Sequence, residues 1–196
     1  IYHEPYASSA SELVCELLQF MPKENNITPL EAQALLAGIM LDTRSFALHV
    51  GVRTFEAAAY LKKLGADTVA VKRLFAISIE TGIKRSQLVE TAEIYNRCAI
   101  AASEDSSDGI RIATSQAADE LLGIQGVDAS FVIYAAGTGA NISARSFGIM
   151  NVQIIMEHLG GGGHQTMAAA QLKDISVSDA KKQLMAAIDE YIRSIS

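Results

Sequence analysis

Ala129-Ser130-Phe131-Val132-Ile133-Tyr134-Ala135 is a near-continuous apolar run, and Gly137-Thr138-Gly139-Ala140 separates it from a second run, Asn141 to Phe147. Two β-favouring runs around a glycine-containing spacer predict a hairpin of adjacent strands. Downstream, Asn151 to Leu159 has helical spacing, Met167 to Leu172 reads as a strand, and Val177 to Ile195 is a long amphipathic helix. Upstream, Gln116 to Leu122 is a short helix closed by Gly123, and Ile110-Arg111-Ile112-Ala113-Thr114 alternates as a strand does. Ser103-Glu104-Asp105-Ser106-Ser107-Asp108-Gly109 carries no apolar residue and reads as the domain boundary. Before it, Leu88, Ala92, Tyr95 and Ala99 recur at helical spacing and predict a helix from about Ser86 to Ala102.

The beginning of the chain reads as helical throughout. Ser9-Ala10-Ser11-Glu12 is a capping box opening a helix to about Phe20. Thr28-Pro29-Leu30-Glu31 is a stronger start, with proline at the first helical position, and its helix runs to Leu41-Asp42. Thr54 opens a third helix, Phe55 to Leu64, with Lys62 and Lys63 in its last turn and Gly65 past its end. Thr68 to Phe75 reads as a fourth. The expected fold is therefore α/β (α+β): a helical segment over 1–84, a connector helix over 85–102 and a mixed α/β domain over 103–196.

The 196 residues are 49% hydrophobic and 19% charged, a balance that excludes general disorder. No apolar stretch reaches the roughly eighteen residues of a membrane span. Residues 1–102 hold 10 basic and 11 acidic side chains, net −1; residues 103–196 hold 6 and 11, net −5. Neither part offers a basic run, which argues against long nucleic acid as a partner. A small anion held by a few aimed groups stays open. Cys15 and Cys98 lie in apparent helices among apolar residues and read as buried thiols in a reducing cytosol. The chain begins Ile1-Tyr2-His3-Glu4, without methionine or a signal-peptide pattern, and so reads as a piece of a longer protein.

Three places could carry chemistry. Asp42 ends a helix, where the macrodipole disfavours a carboxylate unless a cation compensates; Arg44, solvent and a divalent metal ion are the alternatives. Leu159-Gly160-Gly161-Gly162-Gly163-His164 places four glycines in succession. They are either a flexible loop or a cradle whose N–H groups converge on a phosphate, with His164 as an added donor. In Ser143-Ala144-Arg145-Ser146, Ser143 and Arg145 share a strand face, and Arg145 is the only Lys or Arg between Arg111 and Lys173. Its guanidinium needs an anion: a structural partner such as Asp128 or Glu157, or a phosphate. His49 and His158 sit alone among apolar residues and read as packed, and His3, close to the start, has no reading.

Gly160–His164 followed by Ala168-Ala169-Ala170 resembles the GGGH…AA signature of the DHH-associated domain, and Ser143–Ser146 resembles its serine–arginine–serine strand. Gly38-Ile39-Met40-Leu41-Asp42-Thr43-Arg44-Ser45-Phe46 is similar to the last metal-ligand motif of the DHH phosphoesterase domain. Glu4 to Val14 and Arg53 to Leu61 narrow the resemblance to GdpP-type cyclic-di-AMP phosphodiesterases. The resemblance implies manganese-dependent hydrolysis of cyclic-di-AMP to linear pApA at a two-metal site. Asp42 would then be a metal ligand. Arg145, Ser146, Ser143, Gly161, Gly162, Gly163 and His164 would hold substrate. The Asp-His-His motif and the other metal ligands would lie upstream of Ile1, leaving this piece inactive by itself. The piece is expected to be soluble and cytoplasmic, within a parent anchored to the bacterial membrane. Fragments of a RecJ-like exonuclease or nano-RNase, or a nucleotide-binding module, are the alternatives. Monomer and homodimer are both open.

Overall fold

A computed structural model describes residues 4–21 and 27–195. The chain divides into two compact units, Ile1–Ala76 and Ile77–Ser196.

In the first unit the described residues form α1 (Ala10–Gln19), α2 (Pro29–Asp42), α3 (Val52–Lys63) and α4 (Thr68–Leu74). The expected caps are present. The Ser9 hydroxyl accepts from the Glu12 amide at 3.1 Å, and the Thr28 amide donates to the Glu31 carboxylate at 2.8 Å. Helix α3 starts earlier than expected, at Val52, because the Thr54 hydroxyl caps it from inside, accepting from the Gly51 amide at 3.1 Å. Cys15, Leu36, Ile39, Leu61 and Val71 make the core. Glu12 is only 2% exposed, yet its carboxylate is satisfied by the Ser8 hydroxyl and by Thr54 Oγ1 at 2.7 Å. Arg53 beside it grips Glu16 at 2.5 Å and Glu4 at 2.9 Å.

The second unit is built on one sheet in the order β1-β2-β3-β4-β6-β5. Its elements are α5 (Ile79–Glu90), β1 (Glu93–Tyr95), β2 (Cys98–Ser103), α6 (Ile110–Leu122), β3 (Ala129–Ala136), β4 (Gly139–Ser146), α7 (Val152–His158), β5 (Gly162–His164), β6 (Met167–Leu172) and α8 (Val177–Ile195). Only β2 and β3 run parallel, joined by the α6 crossover that such a pair requires. One sheet face carries Ile100, Phe131, Ile133, Ile142 and Ala144 against α7 and α8. The other carries Ala99, Ala101 and Val132 against α6 and Leu88 of α5.

Three expectations fail here. The helix over Ser86–Ala102 stops at Glu90; Asn96 and Arg97, both at positive φ, turn a hairpin between β1 and β2. Strand β2 is buried on both faces, so it lacks the alternation that marks a half-exposed strand. Ile110–Thr114 is not a strand but the first turn of α6. Its buried residues, Ile110, Ala113, Thr114, Ala117, Ala118, Leu121 and Leu122, follow a helical period that a short alternation hid. Accordingly 104–109 is a surface loop inside the β2–α6–β3 crossover, and the division between units lies at Ala76. Among the described residues no helix is long and apolar enough to cross a membrane.

Cys15 and Cys98 are both buried, Cys98 on a strand rather than a helix. Burial pushes the Cys15 thiol up to about 11 and the Cys98 thiol up to about 12. Neither thiol should react with iodoacetamide at pH 8 in the folded chain, and both should react in denaturant; fast labelling of the native chain, read by mass spectrometry, would contradict this.

Candidate functional site

The register of the second unit sorts its open face into three rows. Tyr134, Asn141 and Gln171 align across β3, β4 and β6. Val132, Ser143, Ala169 and Gly162 form the next row, and Ser130, Arg145, Met167 and His164 the third. Neighbouring rows are two strand residues apart, so the outer rows are separated by about 13 Å. Helix α6 packs over Val132 but leaves much of β4, β6 and β5 uncovered, and a cleft of about 420 Å³ lies there. Its middle row is small side chains, so the floor dips between a cationic row and an amide row.

Arg145 is 7% exposed and firmly held. Its Nε donates to Asp119 at 3.1 Å, one terminal nitrogen to the Ser115 hydroxyl at 2.5 Å and the other to the Ala144 carbonyl at 2.9 Å. The partner is thus Asp119, not Asp128 or Glu157. Asp128 is taken by Arg97, whose guanidinium holds its carboxyl below the usual carboxylate range, and Glu157 accepts from Gln153. Arg111, Ser115 and Asp119 recur every four residues along one side of α6; Arg111 and Ser115 line the cleft, and Asp119 continues the stripe to Arg145. The Ser130 hydroxyl donates to the Ala118 carbonyl at 2.6 Å, fixing the end of α6 over the Arg145 row. Arg111, two turns earlier, therefore stands towards the Tyr134 row. It forms no ion pair among the described residues.

The glycine run is neither a flexible loop nor a simple cradle. Gly160 caps α7 at φ +73°, and Gly162 to His164 form the edge strand β5 on β6. A Cβ at Gly161 would fall 2.2 Å from the Ala169 carbonyl oxygen, and one at Gly163 2.5 Å from the Ala168 Cα. These two glycines let β5 lie close on the alanine strand. A Cβ at Gly162 would meet nothing within 4 Å, and this residue opens into the cleft.

The cleft therefore gathers Ser143, Arg145, Gly162, Gly163 and His164. Two other candidates are elsewhere. Ser146 points to the opposite face, fully buried, where its hydroxyl donates to the Met150 carbonyl at 2.6 Å and accepts from the Gly148 amide at 2.8 Å. Gly161 acts through β5 packing. Arg111, Ser115, Asp119, Tyr134, Asn141 and Gln171 carried no signal of their own, because only the strand register and the α6 stripe bring them together.

Asp42 belongs to the first unit, exposed at the end of α2. Behind it, Arg44, Ser45 and Phe46 all take positive φ, a strained run for non-glycine residues. Thr43 holds the run in place: its hydroxyl donates to the Ile39 carbonyl at 2.7 Å and accepts from the Phe46 amide at 3.0 Å. Phe46 then stacks on Phe55 of α3 with ring centroids 5.6 Å apart. Among the described residues no three His, Cys, Asp or Glu side chains gather as a metal site. His49 and His158 are exposed rather than packed, and His3 lies outside the described residues.

The chain is 52% identical over 193 residues to the cyclic-di-AMP phosphodiesterase GdpP of Geobacillus thermodenitrificans, covering 97% of this chain and 29% of that protein. It is 49% identical over 193 residues to the cyclic-di-AMP phosphodiesterase PdeA of Listeria monocytogenes, again covering 97% of this chain and 29% of the relative. The chain thus spans under a third of the length of these relatives. Its fold matches that of an exopolyphosphatase-related protein from Bacteroides fragilis with a TM-score of 0.86 at 22% identity, over 96% of this chain and 58% of the other. Residues 95–194, which run from the end of β1 to the last turn of α8 and include every residue of the cleft, match the DHHA1 domain, and the chain belongs to that family.

Proposed function

We propose that this chain is the substrate-holding part of a cyclic-di-AMP phosphodiesterase that produces linear pApA. The observation that carries the reading is the third row of the cleft. A nearly buried, triply anchored guanidinium and an exposed imidazole share one rigid sheet face beside an open trough. Arg145 and His164 hold a phosphate there by charge-assisted hydrogen bonds. Ser143 adds a hydroxyl, and Gly162 lets the ligand approach the backbone. Gly161 and Gly163 act indirectly, by seating β5.

The parent's two manganese ions would activate water and neutralise developing charge at the phosphate when bound. The described residues do not fit such a centre by themselves, since Asp42 is one exposed carboxylate with no gathered partners. In this reading Asp42 would supply one ligand, and other parts of a membrane-held parent would supply the rest. The chain alone therefore binds but does not hydrolyse.

Titration calorimetry of the 196-residue chain with pApA should show saturable binding, and incubation with cyclic-di-AMP and Mn²⁺ should leave the nucleotide intact. Absence of binding would overturn the substrate-holding role; steady turnover would overturn the need for further ligands. The net −5 of residues 103–196 disfavours a long single strand, the substrate of the exonuclease alternative. The intact parent should therefore prefer cyclic-di-AMP to a short oligonucleotide.

A further inference from the structure

The phosphate reading uses one end of the cleft and leaves the opposite row unexplained. Tyr134, Asn141 and Gln171 are three polar side chains aligned across three strands, on a face where the neighbouring row is Val132, Ser143 and Ala169. Tyr134 is 7% exposed, and its hydroxyl accepts from Asn141 Nδ2 at 3.0 Å. That bond fixes the Asn141 amide, leaving its carbonyl oxygen and second N–H to face a ligand. Gln171 stands exposed on the next strand in the same row. Arg111 stands over this end from the α6 wall, where a planar guanidinium can stack on a flat ring.

The spacing sets the ligand's length. About 13 Å separates this row from Arg145, which is the reach from the phosphate of a nucleoside monophosphate to the far edge of its base. The middle row of small residues leaves room for the sugar. One amide presents a donor and an acceptor side by side. That pair matches the amino group and adjacent ring nitrogen of adenine, and not the two acceptors on the corresponding edge of guanine.

Resting on the phosphate reading above, we propose that Asn141 and Gln171 read the base of the bound nucleotide and select adenine, with Tyr134 orienting Asn141 and Arg111 covering the ring.

The test is calorimetric titration of the 196-residue chain with AMP, GMP and ribose 5-phosphate. AMP should bind about tenfold or more tighter than the other two, the discrimination expected of one bidentate amide. Gln171→Glu, at an exposed position, and Asn141→Ser should each bring AMP towards the ribose 5-phosphate value while leaving ribose 5-phosphate unchanged. Far-UV circular dichroism checks that each variant folds; Gln171→Glu decides alone if Asn141→Ser does not. Equal affinity for AMP and ribose 5-phosphate in the parent chain, or equal loss of both in Gln171→Glu, overturns base reading while the phosphate role stands. No saturable binding of any of the three overturns the phosphate role and base reading with it.

Discussion

Arg145→Ala should weaken pApA binding to the 196-residue chain about a hundredfold, close to 2.7 kcal/mol. Charge-assisted hydrogen bonds contribute about 1.5–3 kcal/mol each when a buried partner is lost. Arg145 meets the conditions for that range. It is 7% exposed and its guanidinium is fixed by Asp119, Ser115 and the Ala144 carbonyl, so little ordering cost remains for the ligand to meet. Arg145→Lys should fall between parent and Ala, because an ammonium keeps the charge but cannot donate to Asp119 and a phosphate in one plane. Asp119→Asn keeps an acceptor for Nε and should bind nearly as well as the parent, while Asp119→Ala should not. Unchanged affinity for Arg145→Ala would remove the basis of the proposed function.

Gly161→Ala should destabilise the second unit by about 3 kcal/mol, at the upper end of what overpacking a close contact costs. The added Cβ would fall 2.2 Å from the Ala169 oxygen and 2.7 Å from the Ala170 Cα, and both are backbone atoms of a central hydrogen-bonded strand. Nothing flexible can give way, so β5 must lift from β6. Gly162→Ala is the matched control. Its Cβ meets nothing within 4 Å, so stability should hold within about 1 kcal/mol while the methyl narrows the cleft floor and weakens pApA binding. Urea unfolding followed by far-UV circular dichroism separates the two. Equal stability of Gly161→Ala and the parent would contradict the close packing of β5 on β6.

Much of this architecture is legible in the amino-acid sequence. The α1 and α2 caps announced their helices, because Ser9 and Thr28 with their acidic partners are local signals. Strand β3 is legible because Phe131, Val132, Ile133 and Tyr134 stand together in it, and β4 because a glycine-containing spacer sets it beside β3. Strand β2 is not, because small residues buried on two faces carry no period. The start of α6 alternates over five residues, a window too short to separate a period of two from one of 3.6. Site residues divide in the same way. Arg145 stood out as an isolated cation, and the glycines by their cost. Ser146 stands out only through the resemblance to the family's serine–arginine–serine strand, although neighbouring strand residues face opposite ways. Asp119 and Asn141 were invisible, since each matters only through a register set by other segments.

Strand β4 holds two vocabularies in one string of letters. Ile142, Ala144 and Ser146 speak to the interior, while Asn141, Ser143 and Arg145 speak to whatever enters the cleft. The two sets answer to different surroundings, so one short strand serves packing and cleft at once. The same interleaving makes the strand intolerant of length changes. A single residue inserted ahead of Asn141 would exchange the two sets, turning Arg145 into the core and Ile142 out to solvent.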